Sequence, residues 1–377
     1  MERVVIAPRA DWERKVSDYG LTFHTMNGEL YWDESAYYRF SADEVDTLED
    51  ATNELHRMCL HAVDVVIREG RFAPFLIPDT FIPLLVESWE RQEGALYGRF
   101  DFCYDGAHSP KLLEYNADTP TALLEASVIQ WFWLQEVAPD ADQFNSIHEH
   151  LLERLRLLKE ELGPLAATIF YFTSVANMPE DFITTSYLRD LAMQSGFATE
   201  YLTIRQIGWH EARGVFTDLR ERAIHLLFKL YPWEWLVREA FAPHLLQRST
   251  RWVEPMWKML LSNKALLPLL WELYPDHPNL LRAGWEPLAG DYARKPILAR
   301  EGANVTLVVN GQTMDSPGPY GASPVIYQQL SPLPCFDGNY PVVGSWVVGD
   351  TACGMGIRED RTPITRNTSR FIPHLFR

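Results

Sequence analysis

The stretch Gly98-Arg-Phe-Asp-Phe-Cys-Tyr-Asp-Gly-Ala-His-Ser-Pro-Lys-Leu-Leu-Glu-Tyr-Asn-Ala-Asp118 has the pattern of a β-hairpin. Runs with strand character at residues 99–104 and 111–115 flank a loop of Asp, Gly, Ser and Pro, residues that favour turns. A register in which Tyr104 pairs with Lys111 determines which side chains lie opposite each other. Because side chains alternate between the faces of a strand, the charged residues of both strands are predicted to share one face.

Four polar side chains are predicted to meet on that face. The register puts Asp101 opposite Glu114 and Arg99 opposite Asn116. Facing carboxylates repel each other, so the arrangement favours a cation between them. Two carboxylates and an amide carbonyl suit Mg²⁺ carried by phosphates, and the arginine would bind the same phosphates. The alternative is an exposed edge hairpin whose charges only keep the protein soluble.

The segment after the hairpin is predicted to be a loop that ends at a helix start. Thr119 or Thr121 is the expected N-cap, and an aromatic helix over residues 129–136 follows. The N-terminus of a helix presents free N–H groups to anions. A metal ion, Arg99 and this helix start are therefore expected to converge on one negatively charged ligand.

The same residues resemble a known family. Arg99-Phe-Asp101 followed by Glu114-Tyr-Asn-Ala-Asp118 is similar to the glutathionylspermidine synthase family, especially its short, synthetase-only acid–amine ligases. The resemblance covers most of the chain and implies an α/β (α+β) ATP-grasp fold with N-terminal pre-ATP-grasp elements. It also implies one catalytic unit over residues 1–377, with pre-ATP-grasp and ATP-grasp parts packed together and no amidase domain.

Composition limits the classes of function. The 377 residues include 34 basic and 51 acidic side chains, an acidic balance that argues against nucleic acid as a partner. The four cysteines form no CxxC pair and indicate neither a zinc ribbon nor a disulfide scaffold. No signal-peptide core or membrane-length apolar run appears, so a cytoplasmic protein without a membrane partner is expected.

Alternating signals in the middle of the chain predict an α/β layer. Strands are expected over residues 167–173 and 199–203, with a helix over residues 179–196 between them. Ser41-Ala-Asp-Glu44 is a capping-box pattern and predicts the start of a helix that continues to about residue 70. Gly354-Met-Gly356 is interpreted as a tight turn, and His148-Glu-His150 as an exposed helix start because i and i+2 diverge on a helix.

Two lysines in the last third of the chain are candidates for phosphate binding. Lys264 lies in an Asn-Lys-Ala motif at the start of a predicted helix over residues 263–274. Lys295 lies in a strand-like Lys-Pro-Ile run that leads to Gly302, where backbone N–H groups could approach phosphates. No Walker A or Rossmann glycine motif is present, as expected for an ATP-grasp protein.

The resemblance implies specific contacts for each ligand. ATP would be contacted by Arg99, Phe100, Asp101, Lys264, Lys295, Gly302, Gln328, Arg358, Pro363, Ile364 and Thr365. Mg²⁺ would be bound by Asp101, Glu114 and Asn116. A small peptide-like acid and an amine would be the substrates, contacted by Thr119, Thr121, Glu180 and Asp181.

Three positions depart from the pattern of the family. Asp181 shortens the second member of its acidic pair, and Leu230 replaces a threonine that meets glutathione. Arg370 stands roughly where the family has an acid for the polyamine, and a basic residue there would repel spermidine. The resemblance therefore transfers ATP use, but it does not identify the acid or the amine.

Acyl activation is the mechanism that these residues favour. A carboxylate would attack the γ-phosphate of ATP, and an amine would then attack the acyl phosphate, with Arg99 as the catalytic residue. One alternative is a catalytically retired ATP-binding regulatory module of the same fold. Another is a hydrolase that uses Asp101 and Glu114 as an acid/base pair, which would need neither lysine.

Overall fold

The computed structural model describes residues 1–26 and 28–377 and combines helices with several sheets. A π-helical turn, Glu125–Ile129, leads directly into the fourth helix. Helices α1 to α8 are, in chain order, Trp12–Asp18, Ala42–Glu69, Ile82–Glu90, Gln130–Val137, Ile147–Leu162, Pro179–Gln194, Trp233–Leu236 and Leu266–Leu273.

Strands occur along the whole chain and are numbered in chain order. Strands β1 to β21 are Glu2–Val5, Thr25–Met26, Glu29–Leu30, Ala36–Phe40, Tyr97–Cys103, Lys111–Asn116, Phe170–Ser174, Thr199–Thr203, Gly208–His210, Val215–Thr217, Leu226–Leu230, Arg251–Val253, Ala283–Gly284, Tyr292–Pro296, Thr306–Val309, Gln312–Asp315, Val325–Gln329, Tyr340–Val348, Thr351–Asp360, Arg370–Ile372 and His374–Phe376.

The predicted hairpin, β5 and β6, forms one edge of an antiparallel sheet with the order β20-β19-β18-β5-β6. Helices α2 and α5 pack against β18 and β19 of this sheet. Helix α2 begins where the sequence predicts, because Ser41 and Glu44 form a reciprocal capping box. It ends at Gly70, whose φ of 67° terminates the helix.

The predicted α/β layer is confirmed as a parallel sheet with the order β12-β11-β7-β8. Helix α6 connects β7 to β8 and packs on both strands. A further antiparallel sheet, with the order β13-β17-β14-β15-β16, carries Lys295 on β14 and Gln328 on β17. The α/β (α+β) fold class expected from the sequence is therefore confirmed.

The apolar face of the hairpin lies in the hydrophobic core. Phe100 and Tyr115 are stacked with 3.8 Å between ring centroids, and both are buried. Their cluster also contains Leu48 of α2 and Ile326 of β17, so helix, hairpin and distant strand share one core. Burial of one face leaves the polar face of the hairpin to form a site.

The interpretation of Gly354-Met-Gly356 as a tight turn is wrong, because these residues lie within the ten-residue strand β19. The glycines allow close packing on that strand. A Cβ at Gly354 would lie 2.7 Å from Cγ1 of Ile147, and one at Gly356 would lie 2.6 Å from Cζ of Phe371. Among the described residues, no helix combines the length and apolar character needed to cross a membrane.

Candidate active site

The predicted register of the hairpin holds at the end that carries the charges. Arg99 pairs with Asn116, and Asp101 pairs with Glu114, as the alternation of side chains indicated. The four polar side chains therefore lie on one face of the sheet.

The register differs at the turn end of the hairpin. Cys103, and not Tyr104, pairs with Lys111, so the predicted pairing there is wrong. Phe102 pairs with Leu112, which leaves Leu113 as the extra residue of a β-bulge.

The bulge is stabilised by two residues of the neighbouring sheet. Lys295 donates from Nζ to the Leu113 carbonyl at 3.0 Å and to Oε1 of Gln328 at 2.7 Å. Gln328 donates from Nε2 to the Leu112 carbonyl at 2.9 Å. Burial lowers the pKa of Lys295 to about 8, although Glu114 favours its charged form.

Arg99 makes a two-pronged ion pair with Asp101. Its Nε lies 2.7 Å from Oδ1 and its Nη2 lies 3.1 Å from Oδ2. Its Nη1 donates to the Thr121 carbonyl at 2.7 Å. Gly344 on β18 leaves room for the arginine, because a Cβ there would lie 2.8 Å from Cδ of Arg99. These contacts hold the guanidinium in a fixed position on the polar face of the hairpin.

Glu114 pairs with the other candidate lysine. Nζ of Lys264 lies 2.9 Å from Oε2 of Glu114 and also donates to the Ala299 carbonyl at 2.6 Å. Burial alone would raise the pKa of Glu114, but Lys264 and Lys295 outweigh it and hold that pKa at about 2. Glu114 is therefore a carboxylate at neutral pH.

The two carboxylates and the two lysines line one cleft of about 300 Å³, within the range of ligand pockets. Arg99 lines a smaller cavity that shares Asp101 with this cleft. Apolar side chains such as Val305, Leu307 and Leu330 form part of its wall. The predicted site residues that line it are Asp101, Glu114, Lys264, Lys295, Gly302, Gln328, Pro363, Ile364 and Thr365. Phe100 is not among them, because its side chain points into the core on the other face of the sheet.

The expected N-cap at Thr119 or Thr121 is wrong. Ala122 has a φ of 65°, and the helical segment starts at residue 123 without a threonine cap. Thr119 instead accepts a hydrogen bond from Nη1 of Arg300 at 2.6 Å. Arg300 also pairs with Glu234 at 2.7 Å, so both residues belong to the neighbourhood of the site.

The loop after the hairpin is held by a second group that sequence reasoning missed. Asp118 accepts from Nζ of Lys229 at 2.6 Å and from the backbone N–H of Trp233 at 2.9 Å. Asp118 and Lys229 are fully buried, and loss of either partner would leave an uncompensated buried charge. The Asp in Asn-Ala-Asp was the sequence signal, but nothing in the sequence identified its partner.

The acidic pair Glu180 and Asp181 lies in the first turn of α6. Oε1 of Glu180 is buried and has no hydrogen-bond partner in the described part of the chain. Burial, together with the charges of Glu180 and Glu301, raises the pKa of Asp181 to about 7. A carboxyl pair of this kind suits a cationic substrate group.

Arg358 and Arg370 occupy different surroundings. Arg358 lies over the ring of Tyr31, 5.4 Å from its centroid, and lines a small cavity together with Arg99 and Asp101. Arg370 lies 2.6 Å from Oδ2 of Asp33 and 2.7 Å from Oε1 of Glu359.

Two carboxylates therefore offset the charge of Arg370, which weakens the argument that it repels a polyamine.

Leu230 ends β11 and is buried in the core. His148 and His150 bind separate partners, the Tyr187 hydroxyl and the Ser146 carbonyl.

Magnesium fits this site only together with phosphate oxygens. The described residues contain no group of three His, Cys, Asp or Glu side chains placed to hold a metal ion. Asp101 and Glu114 are two carboxylates, and Nδ2 of Asn116 donates to Oδ2 of Asp101 at 3.0 Å and to Oε1 of Glu114 at 3.3 Å. One or two carboxylates completed by substrate phosphates and water is a common Mg²⁺ environment, so the donor set is adequate for that role.

Comparison with known proteins identifies the family. Residues 3–377 match the family described as "Glutathionylspermidine synthase preATP-grasp". The chain belongs to this family. Its relatives in the glutathionylspermidine synthase family include acid–amine ligases and bifunctional synthetases, which supports ATP-dependent amide ligation as the general class of reaction.

Relatives of two lengths are found. The chain is 44% identical over 395 residues to a Haemophilus influenzae protein named "Putative acid–amine ligase", with 100% of both chains covered. It is 30% identical to the bifunctional glutathionylspermidine synthetase/amidase of Escherichia coli, covering 89% of this chain and 58% of that protein. It is 31% identical to trypanothione synthetase of Crithidia fasciculata, covering 84% and 53%.

The chain thus spans about half the length of the longer members of the glutathionylspermidine synthase family. A solved structure of a glutathione synthetase-like effector from Globodera pallida has a TM-score of 0.60 at 11% identity, covering 97% of this chain and 96% of that one. That likeness concerns the fold alone.

Proposed function

We propose that this protein is a Mg²⁺-dependent ligase that uses ATP to join a carboxylic acid to an amine through an acyl phosphate, with ADP release as its measurable ATPase activity. The observation that carries the proposal is the cleft in which two lysines meet two carboxylates, one of which, Asp101, is also paired with Arg99. Lys264, Lys295 and Arg99 are cations suited to phosphate oxygens, whereas Asp101 and Glu114 are anions suited to a metal ion.

Each charged group has a separate role in this proposal. Lys264 and Lys295 hold the phosphates of ATP, and Arg99 stabilises the charge that develops during phosphoryl transfer. Asp101, Glu114 and the Asn116 carbonyl would hold Mg²⁺, which neutralises phosphate charge when bound. Most of the catalysis is then positioning and electrostatic stabilisation.

The rest of the cleft is assigned to the nucleotide. Gln328, Pro363, Ile364 and Thr365 contact ATP, and the backbone of Phe100 contributes on the side of the hairpin. Gly302 allows its loop to approach residue 365 closely, because a Cβ there would lie 2.5 Å from the Thr365 carbonyl oxygen. Its φ of 68° also favours glycine.

The substrates are assigned to the opposite side of Arg99. Thr119 and Thr121 contact the peptide-like acid, Glu180 and Asp181 contact the substrate amine, and Arg358 lies near the phosphates. We further propose that residues 1–377 act as one catalytic unit, which is supported by the shared core of hairpin, helix and distant strands.

The decisive experiment measures ADP release by the purified protein with Mg-ATP. A panel of γ-glutamyl peptides, amino acids and amines is added, and product masses are read in parallel. A rate raised by one acid–amine pair, with a product mass equal to their sum less water, supports the ligase. Tight Mg-ATP binding without stimulated turnover would overturn the ligase and favour the regulatory module.

A further inference from the structure

Four carboxyl groups on three separate segments influence each other's protonation near the residues assigned to the substrates. Glu125 comes from the π-helical turn, Glu180 and Asp181 come from the start of α6, and Glu301 follows β14. The Tyr31 hydroxyl that binds Glu125 belongs to the ring beneath Arg358, and Arg358 lines a small cavity together with Arg99 and Asp101. The charge of Glu180 helps to raise the pKa of each of the other three carboxyls. We call these four residues the acidic cluster.

The acidic cluster is not neutralised by the protein. Among the described residues, none of its four carboxyls takes part in an ion pair. Glu180 is 8% exposed, and its Oε1 has no hydrogen-bond partner. Buried carboxylates are normally paired or hydrogen-bonded, so an unpartnered oxygen among three other acids indicates a missing cationic group.

Among the described residues, the neighbouring arginines form no ion pair with the acidic cluster. Arg99 is paired with Asp101, and Arg300 is paired with Glu234. Arg358 donates to the Ser369 carbonyl at 3.0 Å. Arg358 makes its hydrogen bonds to backbone carbonyls only, and its charge opposes the rise in the pKa of Glu125 and Glu301 without forming an ion pair with either.

Given the proposed contact of Glu180 and Asp181 with the substrate amine, we propose that Glu125 accepts a proton from its ammonium group before the amine attacks. This inference rests on the proposed ligase function. Glu125 is not among the residues that the resemblance to the family implies, and it is not one of the charged residues that line the cleft.

The geometry of Glu125 favours it as the acceptor. The Tyr31 hydroxyl donates to its Oε1 at 2.7 Å, which orients the carboxyl, whereas Asp181 has no comparable hydrogen bond. Both Glu125 and Tyr31 are buried. The π-helical turn that presents Glu125 is a feature often found at functional sites.

The protonation of Glu125 is suited to this task. Burial and the charge of Glu180 raise its pKa to about 7, against the opposing effects of Tyr31 and Arg358. A general base works best when its pKa lies near the working pH. The pKa of Asp181 is also raised to about 7, so the hydrogen bond from Tyr31 is what distinguishes Glu125.

The proposed step balances in protons and bonds. The ammonium group gives one proton to the Glu125 carboxylate, and the resulting lone pair attacks the carbonyl carbon of the acyl phosphate. A C–N bond forms, and the C–O bond to phosphate breaks with its electron pair leaving on phosphate. The second nitrogen proton leaves with the phosphate, and Glu125 returns its proton to solvent.

The test compares two nucleophiles in the full-length protein with Mg-ATP and an acid accepted by the wild type. Alkylamines arrive as ammonium ions and need a base, whereas hydroxylamine is largely unprotonated at neutral pH and does not. We expect Glu125→Gln to lower amide formation at least tenfold while hydroxamate formation stays within about twofold of wild type. Glu49→Gln, a change of an acid on α2 outside the cluster, is the matched control and leaves both rates unchanged.

A second variant keeps the test decisive if Glu125→Gln does not fold. Tyr31→Phe removes only the hydroxyl that stabilises the Glu125 carboxylate, so the acid limb of amide formation moves to higher pH. An unchanged amide-to-hydroxamate ratio in Glu125→Gln, an equal loss of both products, or an unshifted pH profile in Tyr31→Phe would overturn the inference. Absence of hydroxamate in the wild type would instead overturn the proposed ligase function.

Discussion

Arg99 is the residue whose removal should affect chemistry most. Replacing it with alanine removes a fixed cation from the proposed site of phosphoryl transfer, and loss of such a donor costs about 2.7–4 kcal/mol in the barrier. We therefore expect Arg99→Ala to lower ADP release by about 10²–10³-fold at saturating substrates. Arg14→Ala, on the surface of α1, is the control. A near-normal rate in Arg99→Ala would remove Arg99 from the mechanism.

Asp101 connects the arginine to the proposed metal. Asp101→Asn keeps the size of the side chain but removes its charge, so the Mg²⁺ concentration for half-maximal turnover should rise. Asp105→Asn lies in the turn of the same hairpin, where Asp105 binds His108, and should leave the titration unchanged. The two magnesium titrations are measured by ADP release. Coincident curves for Asp101→Asn and wild type would contradict the metal assignment.

The raised pKa of Glu125 also predicts that its carboxylate lowers the stability of the folded protein above neutral pH. Its pKa rises from 4.5 to about 7 on folding, so the folded protein binds the extra proton between these values. The stability contributed by Glu125 is full below about pH 4.5 and is lost as the pH rises through 7.

Glu125→Gln should therefore be more stable than wild type at pH 8, by on the order of 3 kcal/mol. The advantage should shrink toward pH 5, because both forms are then nearly neutral at this position. Urea unfolding at the two pH values measures the difference. Equal stability at pH 8 would mean that Glu125 is not protonated in the folded protein near neutral pH.

At the scale of elements, strand β19 depends on glycines that allow its neighbours to pack closely. Gly354→Ala would put a Cβ against Ile147 and the Phe144 carbonyl, and overpacking of this kind costs about 1–3 kcal/mol. Gly284→Ala is the control, since nothing lies within 4 Å of a Cβ there. We expect a lower melting temperature for the first variant only, measured by calorimetry. A melting temperature for Gly354→Ala equal to that of wild type would show that α5 can move away from the added Cβ without loss of stability.

Elements with local signals were predictable from the sequence, and elements decided by distant contacts were not. The start of α2 follows from a capping box, and the site end of the hairpin follows from alternation of side chains. The bulge at Leu113 depends on Lys295, which is 182 positions away. Strand β19 was missed because glycines that serve packing resemble glycines that serve turns.

The candidate site divides in the same way. Asp101, Glu114, Lys264 and Lys295 carry motifs of their own, and the structure brings them into one cleft. Arg300 and Glu234 meet across 66 positions without any local pattern that links them. Glu234 lies in α7 and Arg300 in the segment after β14, so their pairing becomes visible only in the folded chain.

At the scale of the whole molecule, ligand binding should raise stability. A ligand that binds only the folded state adds about 2.7 kcal/mol at one hundred times its Kd. We expect Mg-ATP to raise the melting temperature of the wild type and to raise that of Lys264→Ala less. Lys111→Ala, a hairpin lysine that binds the Pro278 carbonyl outside the cleft, serves as the control. Equal shifts in all three proteins would place ATP elsewhere.

The charged residues at the cleft are paired with each other, and this pairing should couple the binding of the metal ion to the binding of the nucleotide. Arg99 is paired with Asp101, and Lys264 is paired with Glu114. A metal ion alone would bind the carboxylates and leave the cations without partners. A nucleotide alone would bind the cations and leave the carboxylates without partners. Either ligand by itself leaves like charges exposed to each other, so the two should bind with positive cooperativity. By thermodynamic linkage, Mg²⁺ must then tighten ATP binding by the same factor as ATP tightens the binding of Mg²⁺.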